Sequence, residues 1–174
     1  MRTIVLIANA LTLIGSLLLT VSGLIKSKKS FLVAQCGMNL LFVTSNVLLG
    51  GYSGAIVNGV NFMRNLVTVK GKLTKPLKLV IIVIQVSLTA ILGVSSAIMW
   101  LPVIGNSVFT WVMDTEDMVL LKSVFGVTQI IWAIYDLTIL NYAGVPFDVA
   151  AFITASIAIA ALLKERKAVQ KQDN

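Results

Sequence analysis

From Thr3 to Ile25 the chain runs without one charged side chain. That is long enough to cross the hydrocarbon core of a bilayer as a helix, which takes about 20 apolar residues. Further apolar runs follow at about 31–50, 55–70, 79–98, 102–113, 118–139 and 145–163. A soluble domain of this size carries about 25% charged residues. Here the fraction is 12%, against 57% hydrophobic residues and a mean hydropathy of +0.95. The pattern predicts an all-α membrane protein of seven transmembrane helices and leaves no room for a soluble domain.

Charge placement predicts the topology. Lys26, Lys28 and Lys29 follow the first span; Lys70, Lys72, Lys75 and Lys78, with Pro76 punctuating them, follow the third; Lys164, Arg166 and Lys167 follow the seventh. The loops after spans two, four and six carry no Lys or Arg. The positive-inside rule then puts the N-terminus outside and the C-terminus in the cytoplasm. It also explains the net charge of +7 without nucleic acid. Arg2 before an apolar run has the look of a signal peptide, but the run is long for one and no small-x-small cleavage site follows. Turns are expected at Gly50–Gly54 and Asn141–Gly144. Pro102 suits the first turn of span five. The acidic loop Asp114–Asp117 suits the N-terminal end of span six, and the tail from Lys164 reads as a solvated polar end.

A shift of 90 residues brings landmarks into coincidence. Ile14-Gly15-Ser16 meets Ile104-Gly105-Asn106, and Thr20 meets Thr110. Asn39 meets Gln129, Asn46 meets Asp136, Asn58 meets Asp148, and Tyr52-x-Gly54 meets Tyr142-x-Gly144. Polar residues inside spans are scarce, so their register indicates a duplication. The chain then divides into a three-helix repeat (1–75), a linker helix (76–100), a second three-helix repeat (101–165) and a tail (166–174). Three is odd, so the linker returns the chain and both repeats share one orientation, a plan common among transporters.

Leu48-Leu49-Gly50-Gly51-Tyr52 with Asn58 and Arg64, and Leu101-Pro102-Val103-Ile104-Gly105 with Thr110-Trp111, resemble the YgjV family of bacterial inner membrane proteins. The resemblance covers most of the chain and implies a multi-pass protein of the bacterial inner membrane. The three-plus-one-plus-three plan looks like the wider SWEET, PQ-loop and PnuC group. This chain has no Pro-Gln dipeptide and no proline in its first span, so a proline-hinged rocking motion does not carry over. Gly15 and Gly105 are the flexible points it offers instead.

The polar residues inside the spans are the candidate site. Gln35, Asn39 and Asn46 share one helical face, as do Asn58, Asn61 and Asn65, with Arg64 beside them. At about 1.5 Å of rise per residue, Asn58 and Asp148 lie roughly 5 Å below the outer ends of their spans, with Asn46 and Asp136 at similar depth. Asn39, Asn61, Arg64 and Gln129 fall nearer the middle. An Arg or Asp at the bilayer centre disfavours insertion by about 2.5–3.5 kcal/mol, so these groups should face protein or water. One reading has them line an outward-opening cavity with Arg64 at its floor, Trp132 or Trp111 stacking on a solute, and Arg64 reaching Asp148 in one state. The other has them join helices through hydrogen bonds of about 0.6–2 kcal/mol each. Lys122, near a span end, is expected to snorkel.

With no His and a single Cys, Cys36, in an apolar run, the chain offers no metal-ligand set and no disulfide. No cofactor is implied. Tyr135-Asp136 and Gly144-x-x-x-Asp148 lack the Gly-x-Gly-Asp of intramembrane aspartyl proteases, so no enzyme is expected. The composition and repeat point to a carrier for a small polar solute, alternating access between two three-helix bundles. The competing reading is a non-transporting scaffold or accessory subunit. The expected partners are the lipid bilayer, a small polar solute and a possible second copy of the chain.

Overall fold

A computed structural model describes residues 2–48, 52–71, 73–91, 97–138 and 144–172. Among them are seven α-helices and one 3-10 turn, with no strand. The helices are α1 (Arg2–Leu24), α2 (Lys28–Leu48), α3 (Tyr52–Val69), α4 (Lys75–Ile91), α5 (Leu101–Val112), α6 (Met118–Thr138) and α7 (Val145–Gln172). The 3-10 turn, Ala97–Trp100, runs directly into α5. Four helices are by themselves long and apolar enough to cross a membrane: α1, α2, α6 and α7. α3 has the length, but Asn58, Asn61, Arg64 and Asn65 make it too polar. α4 is described over 17 residues. The 12 residues of α5 rise about 18 Å.

Three boundaries differ from the sequence reading. Tyr52 to Gly54 belong to α3 and not to a turn; Gly50 and Gly51 lie outside the described residues. Pro76 sits in the first turn of α4, where its missing N–H is no loss, and the Thr74 carbonyl accepts from the Lys78 amide at 3.0 Å. The expected polar tail is helical to Gln172, because Lys, Glu, Arg, Ala and Gln are strong helix formers.

The polarity of the molecule is inverted relative to a soluble protein. Leu6, Leu17, Val21, Val127, Ile134 and Ile157 are exposed, while Ser22, Gln35, Asn65, Arg64, Gln85 and Thr110 are buried. Apolar side chains without water-facing neighbours suit a lipid solvent, and buried polar groups then need protein partners.

α1 packs along α2 and α7, α2 along α3, and α6 along α7 and α5. α4 lies against both α3 and α5. Gly71, at φ 66°, turns the chain from α3 towards α4; its amide donates to the Thr68 carbonyl at 2.9 Å. The α1–α7 contact is close: a Cβ on Gly23 would stand 1.9 Å from the Thr154 hydroxyl. Ala151, Ala155 and Ala158 of α7 are buried, and small residues of this kind let helix backbones approach.

One end of the bundle gathers the charges. Lys26 pairs with Glu165 and Lys78 with Asp114, Lys28 reaches Glu116 at 3.0 Å, and Arg166 reaches Asp117 at 2.6 Å. The 113–117 loop is thereby tied to α2, α4 and α7. Asp117 caps α6 as expected, accepting from the Val119 and Leu120 amides at 2.8 and 3.2 Å. The hydrogen bond from Lys78 holds the Asp114 carboxyl below the usual carboxylate range, and the one from Arg166 does the same for Asp117. We call this the basic end.

Candidate functional site

Arg64 is five residues from the end of α3, on the basic-end half of that helix. It is 2% exposed. Its Nε and Nη2 both donate to the Asn65 Oδ1, at 3.2 and 3.1 Å, and its Nη1 donates to the Thr110 Oγ1 of α5 at 2.9 Å. Thr110 in turn donates to the Asn106 carbonyl at 2.7 Å, which leaves its lone pairs for the guanidinium. Asn65 donates to the Gln35 Oε1 of α2 at 3.3 Å. Thus α2, α3 and α5 meet in one buried polar cluster. A guanidinium has five N–H donors, and three are engaged here by neutral groups among the described residues.

One turn before Arg64 on α3 is Asn61, and one turn before Thr110 on α5 is Asn106. Lys78, at the start of α4, donates to the Trp111 carbonyl at 2.6 Å, so α3 and α5 both end at the basic end. Asn61 and Asn106 therefore sit on the same side of the Arg64–Thr110 bond. They are 6% and 3% exposed, and the Asn61 Oδ1 and Asn106 Nδ2 have no hydrogen-bond partner among the described residues. An acceptor and a donor are thus left uncommitted in the interior, where an unpaired group costs about 1–3 kcal/mol.

Aromatic rings pack against the cluster. Phe31, Phe109 and Phe125 meet at centroid distances of 5.2–6.4 Å. Arg64 stands 5.1 Å from the Phe109 ring and Lys122 stands 3.8 Å from the Phe31 ring. Lys122 corrects the sequence reading. It does not snorkel but is 0% exposed, and its Nζ donates to the Ser22 carbonyl at 2.6 Å. Ser22 lies in the last turn of α1, where its carbonyl also accepts from the Ile25 amide at 3.2 Å, so Lys122 adds a cation at the end of the helix dipole that favours one.

The remaining candidates are distributed along the bundle. Asn39 and Gln129 are buried at 2% and 5%, two turns beyond Phe31 on α2 and one turn beyond Phe125 on α6. Asn46 and Asn58 are partly buried towards the other end, and Asn58 has a partner of its own. Asp148, 8% exposed, lies in the first turn of α7, where its amide donates to the Gly144 carbonyl at 3.1 Å. Asp148 also has a partner, whereas the Arg64 guanidinium reaches Asn65 and Thr110. The Asp136 side chain lies outside the described residues. Trp132 stacks edge-on against Tyr135 at 5.6 Å. Trp111 is half exposed at the basic end, under Lys78 at 5.4 Å.

A described groove of about 370 Å³ lies between α3 and α4, not between the two halves of the chain, and is lined by apolar residues including Ile56, Val60, Ile81 and Leu88. Asn106 enters the sequence reading only as a repeat landmark, and Thr110 as a repeat landmark and part of the family resemblance. Their spacing of four on a short helix was the available signal, since it puts both on one face.

Two hydrogen bonds bear on the duplication. Arg64 of α3 donates to Thr110 of α5, and Thr154 of α7 donates to the Thr20 carbonyl of α1 at 2.8 Å. Shifting by 90 turns Arg64 into Thr154 and Thr20 into Thr110, so the two contacts exchange.

Residues 6–166 match Imp-YgjV, a family described as bacterial inner membrane protein. The chain belongs to this family. No curated protein and no solved structure matches it significantly. The family and the apolar helices together place the chain in a bacterial inner membrane.

Proposed function

We propose that the chain is a carrier for a small polar solute in the bacterial inner membrane, working by alternating access between two three-helix bundles and catalysing no reaction. The observation that carries this reading is the uncommitted polar capacity beside Arg64: the Asn61 Oδ1 and the Asn106 Nδ2, buried and unpartnered among the described residues. Groups that only held helices together would be paired with one another.

On this reading α1–α3 and α5–α7 are the bundles and α4 is the linker. The exchanged contacts, Arg64 with Thr110 and Thr154 with Thr20, support a two-fold relation between them. The basic end is cytoplasmic, with the N-terminus outside and the C-terminus inside. The Phe31–Phe109–Phe125 triangle and the ion pairs of the 113–117 loop form the cytoplasmic closure. Asn39, Asn46, Asn58, Gln129 and Asp148 line the route from the outer end.

The scaffold reading draws on a different observation. The apolar groove between α3 and α4 has the character of a surface for another apolar helix, and the residues at the level of Arg64 are tightly buried.

The test is thermal unfolding of the detergent-purified protein, with uptake into proteoliposomes, against sugars, nucleosides, vitamins, amino acids and small organic acids. Ligand at about 100 times its Kd stabilises by about 2.7 kcal/mol. A carrier yields a hit with matching uptake, weakened in Asp148→Asn or Arg64→Gln. No hit and no uptake, with both variants simply less stable, would establish the scaffold. A C-terminal reporter active only in the cytoplasm checks the orientation; silence there would reverse it.

A further inference from the structure

Arg64 is a buried cation whose partners among the described residues are all neutral. Asn65 Oδ1 takes the Nε hydrogen and one Nη2 hydrogen, and Thr110 Oγ1 takes one from Nη1. One hydrogen remains on Nη1 and one on Nη2. Lys122, a second buried cation, lies against the Phe31 and Phe125 rings and donates to the Ser22 carbonyl. No ion pair among the described residues involves Arg64. Asp136 is seven residues beyond Gln129 on α6, roughly 10 Å further from the basic end.

We infer that the solute is a small monocarboxylate carrying a hydroxyl or amide group, with its carboxylate on Arg64 and its neutral group between Asn61 and Asn106. The inference rests on the carrier reading and names its substrate class.

Three observations carry it. A carboxylate presents two oxygens that fit two N–H donors of one guanidinium, and such charge-assisted pairs are the strong ones. One carboxylate matches the single charge of the Arg64 guanidinium in a low-dielectric interior, where uncompensated charge is costly. The Asn61 Oδ1 accepts and the Asn106 Nδ2 donates, so together they suit a group that can do both, such as a hydroxyl. These two residues lie one turn from the Arg64–Thr110 bond, about 5 Å along the helix axes, which limits the solute to a few carbons.

The experiment compares lactate and glycolate with their uncharged amides, lactamide and glycolamide, and with inorganic phosphate and glucose. It reads thermal unfolding and proteoliposome uptake of the full chain. The acids should raise the unfolding temperature and be taken up, while the amides bind at least about tenfold more weakly, the value of one charge-assisted hydrogen bond. Arg64→Gln should lose the response to the acids. Asn61→Asp keeps the shape of the side chain and sets a carboxylate three residues before Arg64 on the same helix, within pairing reach. It should raise the unfolding temperature of the empty protein and abolish the response to lactate, so it carries the test even where Arg64→Gln does not fold.

Equal stabilisation by acids and amides, or a lactate response that survives in Asn61→Asp, overturns the inference. Stabilisation and uptake of glucose or phosphate without lactate overturns it too, while leaving the carrier reading standing. No response to any compound of the wider panel, with no uptake, removes both.

Discussion

The α1–α7 and α3–α5 contacts, which correspond on the proposed two-bundle plan, are built in opposite ways. Between α1 and α7 the backbones are close enough that Gly23 has no room for a Cβ beside Thr154, and the joining hydrogen bond runs from a short hydroxyl to the Thr20 carbonyl. α3 and α5 approach far less closely, and a full-length arginine side chain spans the distance to Thr110. α4 contributes to the difference. It follows α3 and precedes α5, packs on both, and donates to α5 through Lys78 and Gln85. On the proposed two-bundle plan, one tight side and one polar side divide the labour: the small-residue contact serves as a pivot and the arginine contact as the place where a solute enters. That division belongs to the carrier reading proposed above.

The sharpest way to break the comparison is at the tight side. Gly23→Leu forces α1 from α7, since even a Cβ would meet the Thr154 hydroxyl at 1.9 Å and the Ala155 amide nitrogen at 3.0 Å. We expect a loss of about 3 kcal/mol, the upper range for overpacking, visible as a large drop in unfolding temperature. The matched pair Thr110→Val and Thr154→Val separates the two sides directly. Thr110→Val leaves a buried guanidinium short of an acceptor and should cost about 1.5–3 kcal/mol, whereas Thr154→Val removes a neutral bond worth about 0.5–1.5 kcal/mol. Only Thr110→Val should also alter solute binding. Equal costs, or a binding defect in Thr154→Val, would dissolve the distinction between pivot and site.

The smallest effect belongs to the ion pairs of the 113–117 loop. Hydrogen bonding to Lys78 depresses the Asp114 pKa, so its contribution is complete above the ordinary carboxylate value of about 3.9 and lost as pH falls through the lower folded value. The unfolding temperature should be level from about pH 7 to 5 and decline below about pH 4. Asp114→Asn should shallow that decline and cost at most about 1 kcal/mol at neutral pH, because the carboxyl is nearly half exposed. A steep pH dependence near neutrality would point to another group.

Much of the fold was legible because membrane helices follow from uninterrupted apolar runs. α1, α2, α6 and α7 come directly from such runs. α3 was legible as a helix with a polar face, and Asn61, Arg64 and Asn65 do lie buried on it. The partners of that face were not legible. Nothing local to Thr110 says that a residue 46 positions earlier will donate to it. Lys122 shows the same limit: a lysine near a span end ordinarily reaches for water, and only the nearby end of α1 and the Phe31 ring make burial the better alternative. Lys78, read as a topology signal, turned out to staple α4 to α5.

The amino-acid sequence by itself determined that this chain is helical, where its apolar runs begin, and which residues are too polar to face lipid. Those properties are set by one residue and its near neighbours against the solvent. The tertiary structure alone decided which polar residues meet, that Arg64 lies beside Asn65, Gln35 and Thr110, and that the Asn61 Oδ1 and Asn106 Nδ2 are left unpartnered among the described residues. Such pairings depend on how whole helices pack, through contacts between residues far apart in the chain, and so no local pattern records them.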